Sequence, residues 1–196
     1  MFKNFELTFP PACAEVVKEA YSEANIVLEY GSGGSTFVGA ENCSKVISIE
    51  SSCQWMMELV SSLGEKGLLN KVMPIWVDIG PTRAWGHPVD ASKRKNWPLY
   101  SKKPWLYCQK ESVQPDLVLI DGRFRVSCFL ACCFYTQRPI KVLFDDFANR
   151  HKYHVVKELF QPVEVFDDRL AVFHVEPGAI DSEFISSKKE YFFNPD

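Results

Sequence analysis

Residues 26–40 read Ile-Val-Leu-Glu-Tyr-Gly-Ser-Gly-Gly-Ser-Thr-Phe-Val-Gly-Ala: an apolar strand that ends beside an acid, breaks into glycines and resumes as a helix. A chain that leaves a strand through a tight turn into a helix is committed to a βα unit, because the next strand must return by a crossover. The glycines also let backbone approach a ligand, and the helix that follows aims unpaired N–H groups and the positive end of its dipole at the same place. The loop is therefore of the kind that cradles a nucleotide-type cofactor. What distinguishes it is Glu29, two residues before Gly31.

The rest of the 196 residues repeat the alternation, which predicts an α/β fold: a Rossmann-like, doubly wound, seven-stranded sheet, mostly parallel with an antiparallel last strand and helices on both faces. Thr8 is expected to cap a first helix that opens on Pro10 and Pro11. Strands are expected at 26–30, 45–50, 72–77, 116–121 and 140–144, with a helix at 52–63 closed by Gly64. Pro74 cannot donate to a ladder, so the third strand is predicted at an edge. A helix near 153–160 leads to a terminal hairpin, 163–166 and 170–175, turning on Asp167 and Asp168. The last dozen residues read as a loosely docked tail.

A chain of this length buries about 70% of its unfolded surface around a single core, so one domain suffices. No apolar run approaches the roughly 18 residues needed to span a bilayer, and the first eleven residues, with Lys3, Glu6 and Pro10, lack the pattern of a signal peptide. A cytoplasmic protein without membrane partners is expected; the oligomeric state is not legible. The seven cysteines (13, 43, 53, 108, 128, 132 and 133) form no Cys-x-x-Cys, and they read as reduced, mostly buried small hydrophobes.

One segment breaks the regular order. Residues 79–114 are too long for an ordinary connection and show no clean period, so they are expected to form a lid or substrate-binding insertion. Seven Lys or Arg stand there against Asp90 and Glu111, a local charge of +5 in a protein of −3, interleaved with Trp85, Trp97, Tyr100, Trp105 and Tyr107. That combination suits an acceptor carrying negative charge, such as a phosphorylated or carboxylated small molecule. A nucleic acid fits less well, because the remaining chain is net acidic.

In a parallel sheet, ligands bind beyond the carboxyl ends of the strands. Here those ends carry Glu29, Glu50, Asp78, Asp121, and Asp145 with Asp146. With these residues in place, the chain from about 8 to 176 resembles the class I S-adenosylmethionine-dependent methyltransferases, with their seven-stranded sheet and reversed last strand. The resemblance implies that Glu29, Gly31, Ser32, Gly33, Ser35 and Thr36 surround the methionine part of the cofactor. It also implies that Glu50, with Ser51, takes the ribose hydroxyls, that Asp78 and Ile79 lie beside adenine, and that Asp121 lies beside the transferable methyl. Gly-x-Gly followed by an acid also suits a dinucleotide-binding oxidoreductase using NAD(P). That fingerprint, however, wants glycine where Thr36 stands, does not call for Glu29 and predicts no closing hairpin.

Methyl transfer needs a base or a metal at the acceptor. Asp121, Asp145 and Asp146 resemble the carboxylate set of metal-dependent O-methyltransferases, which implies Mg²⁺. Against this, Asp121-Gly122-Arg123-Phe124-Arg125 brings two cations into the same place, and these are able to neutralise the carboxylates instead. The candidate bases are His87, in the insertion, and His151 and His154, close after Asp146; His174 on the terminal hairpin reads as structural. No Asn/Asp-Pro-Pro-Tyr follows the fourth strand, so an oxygen acceptor is favoured over nitrogen. The alternative class is a catalytically silent methyltransferase fold that binds the cofactor or another nucleotide.

Overall fold

A computed structural model describes residues 5–196; Lys3, part of the leader reading, lies outside the described residues. Its elements in chain order are α1 (Pro11–Glu23), β1 (Ile26–Tyr30), α2 (Gly34–Asn42), β2 (Lys45–Glu50), α3 (Cys53–Glu65), β3 (Val72–Trp76), α4 (Trp97–Glu111), β4 (Leu117–Ile120), α5 (Arg125–Tyr135), β5 (Ile140–Phe144), β6 (Glu164–Phe166), β7 (Leu170–Val175) and α6 (Ser182–Ser187). The strands form one sheet in the order β3-β2-β1-β4-β5-β7-β6. All neighbours are parallel except β5 with β7 and β6 with β7. The winding runs outward from β1 to β3, then returns to start again at β4. The direction of travel therefore reverses between β1 and β4, the place where such sheets open a ligand crevice.

Period-two alternation divides the core. Val27, Val46, Leu117, Leu119 and Leu143 face α1, α2 and α3, whereas Leu28, Tyr30, Ile47, Val118 and Ile120 face α4 and α5. Pro74 sits in β3 at the sheet edge, opposite Ser48, as its missing N–H requires. The β6–β7 hairpin turns on Asp167 and Asp168 at φ +50° and +46°, a left-handed pair that short Asp side chains tolerate.

Five features differ from expectation. Helix α1 begins at Pro11 behind Pro10, with no side-chain cap from Thr8. Helix α3 runs past Gly64 to Glu65, and the positive φ needed for the exit falls on Gly67 instead. The second half of the insertion is not irregular. It is the 15-residue α4, whose Trp97, Tyr100 and Trp105 are buried, so most of its aromatics are core. The tail is also docked: α6 and a 3₁₀ helix at Lys189–Phe193 bury Phe192 against the α4 and α5 face. The expected helix near 153–160 is a 3₁₀ helix, His151–Glu158. Among the described residues, no helix is long and apolar enough to cross a membrane.

Phe173 on β7 anchors the α5 side, its ring centroid 4.9 Å from Phe129 and 5.1 Å from Phe147, with no exposed surface. Phe173→Ala is expected to cost about 3–5 kcal/mol in urea unfolding. Val165→Ala, on the exposed face of β6, should stay within about 0.5 kcal/mol, and equal losses at the two sites would contradict this account of the core.

Candidate functional site

The crevice is built on the end of β1. Glu29 has no exposed surface, and four hydroxyls donate to its carboxylate. Tyr21 of α1 is at 3.0 Å, Ser35 of α2 at 2.9 Å and Ser48 of β2 at 2.6 Å, and Thr36 completes the set. Thr36 Oγ1 in turn accepts from the Gly33 N–H at 3.0 Å, so the glycine loop is fastened to Glu29 through one hydroxyl. Burial raises the Glu29 pKa, and the four hydroxyls oppose the shift without cancelling it. With both oxygens engaged by hydroxyls of the fold, Glu29 positions the loop. The same burial, followed by the nearby Glu29, raises Tyr21 well above the ordinary phenol range.

Gly31 (φ +92°) crosses against Gly122, and a Cβ added to Gly31 would lie 2.9 Å from the Gly122 Cα. The loops after β1 and β4 therefore touch backbone to backbone, which only glycine permits. Above Gly33 the space is open, with only Trp55 at 4.0 Å from a hypothetical Cβ. Trp55 Nε1 donates to the Ser32 carbonyl at 2.7 Å and holds the loop from the far side.

Glu50 ends β2 with its two oxygens unequally used. Oε1 accepts from the Ser51 N–H (2.6 Å), the Ser51 hydroxyl (3.0 Å) and the Ser52 N–H (2.8 Å). Oε2 has only the long contacts to Ser32, at 3.4 and 3.5 Å. A turn of the insertion, bridged at Thr82 and Pro88, folds over this carboxylate. Its Gly86 carbonyl accepts from the Ser51 hydroxyl at 2.9 Å, while Trp85 at its tip is 83% exposed and left-handed (φ +62°). Asp78 turns away toward the insertion, pairing with Lys93 at 3.4 Å and capping the Gly80 N–H, and Ile79 is buried in the core.

The acids at the ends of β4 and β5 surround an arginine. Arg125, almost fully buried, reaches Asp121 at 3.0 Å, Asp146 at 3.2 Å and Asp145 at 3.6 Å. Arg169 grips Asp145 through two 2.7 Å bonds, and Arg150 holds Asp146 at 2.8 Å. The expectation of a Mg²⁺ set at Asp121, Asp145 and Asp146 is corrected here. The positive charge that three clustered carboxylates need comes from Arg125, Arg169 and Arg150, and the guanidinium of Arg125 lies among all three acids. Among the described residues, no group of three His, Cys, Asp or Glu is arranged to hold a metal. Burial opposes ionisation of Asp145, but the Arg169 fork and Arg125 overcome it and lower its pKa. Burial and the competing Asp145 push Asp121 up to about 8, although its side chain keeps 31% of its surface.

His87 is engaged at both ring nitrogens, by the Pro88 carbonyl at 2.9 Å and by Asp196 at 3.3 Å. His151 and His154 contact each other at 3.4 Å, and His154 Nε2 meets the Phe147 carbonyl at 3.0 Å. His174 is exposed on β7. Arg125 is the neutralising cation that the sequence offered after Asp121-Gly122; the residues it did not single out for the site are Tyr21, Ser48, Arg150 and Arg169. Of these, Ser48 left a signal as the lone hydroxyl inside an apolar strand.

A solved structure of a methyltransferase-like protein from Silicibacter pomeroyi is 40% identical to this chain, covers 98% of it and 99% of its own length, and superposes with a TM-score of 0.87. The chain belongs to the class I S-adenosylmethionine-dependent methyltransferases. Two further structures share the methyltransferase fold at lower identity. An O-methyltransferase from Bacillus cereus in complex with SAH is 13% identical (85% of this chain, 80% of that one, TM-score 0.56). A SAM-dependent O-methyltransferase from Thermotoga maritima is 12% identical (90% and 69%, TM-score 0.56). No protein-family model matches the sequence, and no curated protein matches it.

The arginine-centred cluster makes a pH prediction. Asp121 binds its proton more tightly in the folded methyltransferase than in the unfolded chain, so its contribution to stability is complete below about pH 4 and is lost as pH rises toward 8. Asp121→Asn should therefore flatten the fall in unfolding free energy between about pH 5 and 8, and an unchanged slope would contradict the assignment. Arg125→Met should cost about 3–5 kcal/mol, with the larger loss at the alkaline end, where the three carboxylates are charged.

Proposed function

We propose that the protein transfers a methyl group from S-adenosylmethionine to an oxygen of a small, negatively charged acceptor. The observation that carries this reading is the pairing of the Glu29-fastened glycine loop with a Glu50 carboxylate whose Oε2 has only weak partners. An acid presenting one under-used oxygen at the end of β2, across from open space above Gly33, fits a ribose held through its hydroxyls. Ser32 and Gly33 would line the amino-acid end of the cofactor, while Gly86 and Ser51 close over the ribose end.

When bound, the cofactor supplies a methyl carried on a positively charged sulfur, which passes in line to the acceptor oxygen. The protein's part is to place that oxygen and remove its proton. Asp121 is suited to the proton: it stands at the end of β4 in the crevice, it is partly open, and its pKa of about 8 is close to working pH. Arg125 holds one of its oxygens and orients the group. The basic, aromatic insertion at 79–114 would form the acceptor-side wall, and its local charge of +5 is what favours an anionic acceptor.

Titration with S-adenosylhomocysteine is expected to show binding that Glu50→Ala weakens about tenfold or more. Absence of binding at millimolar ligand would contradict the reading. Once an acceptor is in hand, kcat/KM should rise with pH through a midpoint near 8 and level off above it. Asp121→Asn should abolish turnover while keeping cofactor affinity, and EDTA should leave the rate unchanged.

A further inference from the structure

The loop after β4 contains a cation that the fold itself does not use. Five of the seven arginines have a partner, Arg94 the face of Phe193 and Arg125, Arg138, Arg150 and Arg169 carboxylates, and Arg83 is exposed to water. Arg123 has none for its guanidinium among the described residues, and its Nε is buried without a hydrogen-bond partner. Leaving a buried cationic donor unmet is unfavourable, and a carboxylate in reach would normally satisfy it. The acids at the ends of β4 and β5 are already engaged: Asp145 and Asp146 by Arg169 and Arg150, and one oxygen of Asp121 by Arg125.

The backbone fixes where Arg123 stands. Its N–H faces the Tyr100 hydroxyl at 3.4 Å, the preceding Gly122 packs on Gly31 of the cofactor loop, and the following Phe124 N–H donates to the Pro195 carbonyl at 3.2 Å. Arg123 therefore lies on the rim of the crevice, two residues from Asp121. On the same side, His87 and Lys152 hold the carboxylate of Asp196, at 3.3 and 3.9 Å, so an oxyanion is already accommodated there by the chain itself.

We infer that Arg123 is the residue that recognises the acceptor, gripping a carboxylate or phosphate of a small molecule whose hydroxyl is then presented to Asp121. A planar guanidinium offers two parallel N–H donors that match either oxyanion, which lysine does not. The inference rests on the proposed methyl transfer only for the statement that the acceptor's hydroxyl meets Asp121. Arg123's role as an anion anchor stands on its lack of any partner within the fold.

The test is calorimetric titration of the protein saturated with S-adenosylhomocysteine, using benzoate, phenyl phosphate and the neutral benzamide, for wild type, Arg123→Gln and Arg123→Lys. Wild type is expected to bind one of the two anions about tenfold or more tightly than benzamide. Which anion wins separates a carboxylated from a phosphorylated acceptor. Arg123→Gln should erase that preference with S-adenosylhomocysteine affinity unchanged, and Arg123→Lys should restore only part of it. No preference for either anion in wild type, or the same preference in Arg123→Gln, would overturn the inference. So would capture of a single-stranded RNA oligonucleotide while both small anions are ignored. Should S-adenosylhomocysteine itself fail to bind, the methyltransferase reading fails, and the same titrations on the unloaded protein still decide the role of Arg123.

Discussion

Glu29 places a carboxyl group with no solvent contact at the point where α1, β1, α2 and β2 meet, and four hydroxyls from three of those elements converge on it. A buried carboxyl without partners is strongly unfavourable, so those hydroxyls must be in place for the region to fold. Once they are, Thr36 is fixed, and with it the N–H of Gly33 and the course of the glycine loop. On the opposite face of the same strand, the next residue does a matching job. The Tyr30 hydroxyl donates to the Ser101 carbonyl at 2.7 Å and accepts from Trp105 Nε1 at 2.9 Å, tying α4 to the end of β1. Two adjacent side chains, pointing to opposite faces of the sheet, thus hold both walls of the crevice.

The chemistry at the neighbouring strand ends follows from how charge is balanced. Three carboxylates crowd the ends of β4 and β5, and three arginines neutralise them, with Arg125 at the centre. A fixed guanidinium in that position leaves Asp145 firmly ionised and Asp121 reluctant to ionise. Two acids with pKa values pushed apart can play different parts: one a structural counter-charge, the other a group that exchanges a proton near neutral pH.

Much of the architecture was legible because it is written in periodicities and in backbone exceptions. Pro74 placed β3 at the edge, the apolar runs marked the parallel strands, and Asp167-Asp168 marked the closing hairpin. The helix α4 was not legible, because Pro98 and Pro104 read as helix breakers and buried Ser101 and Pro104 break up the apolar stripe that Trp97, Tyr100, Trp105 and Cys108 form at helical spacing. At the site, sequence spacing identified the acids at the strand ends but not what faces them. The partners of Glu29 come from residues 21, 35, 36 and 48, and those of Asp145 from residues 125 and 169. Apart from Arg125, which follows Asp121-Gly122 in the sequence, such partners are set by the packing of elements and no local pattern announces them. The difference matters most at Glu29, whose position in the sequence does not reveal the four hydroxyls that packing brings to it.

Glu29 fastens the loop from within, and the proposed function rests on Glu50 as the acid that meets the cofactor. A crystal structure of the protein with S-adenosylhomocysteine tests it most directly. The account predicts ribose hydroxyls on Glu50 Oε2, with Tyr21, Ser35, Thr36 and Ser48 all still bonded to Glu29. Ligand density that contacts Glu29, or that lies away from Glu50, would contradict it.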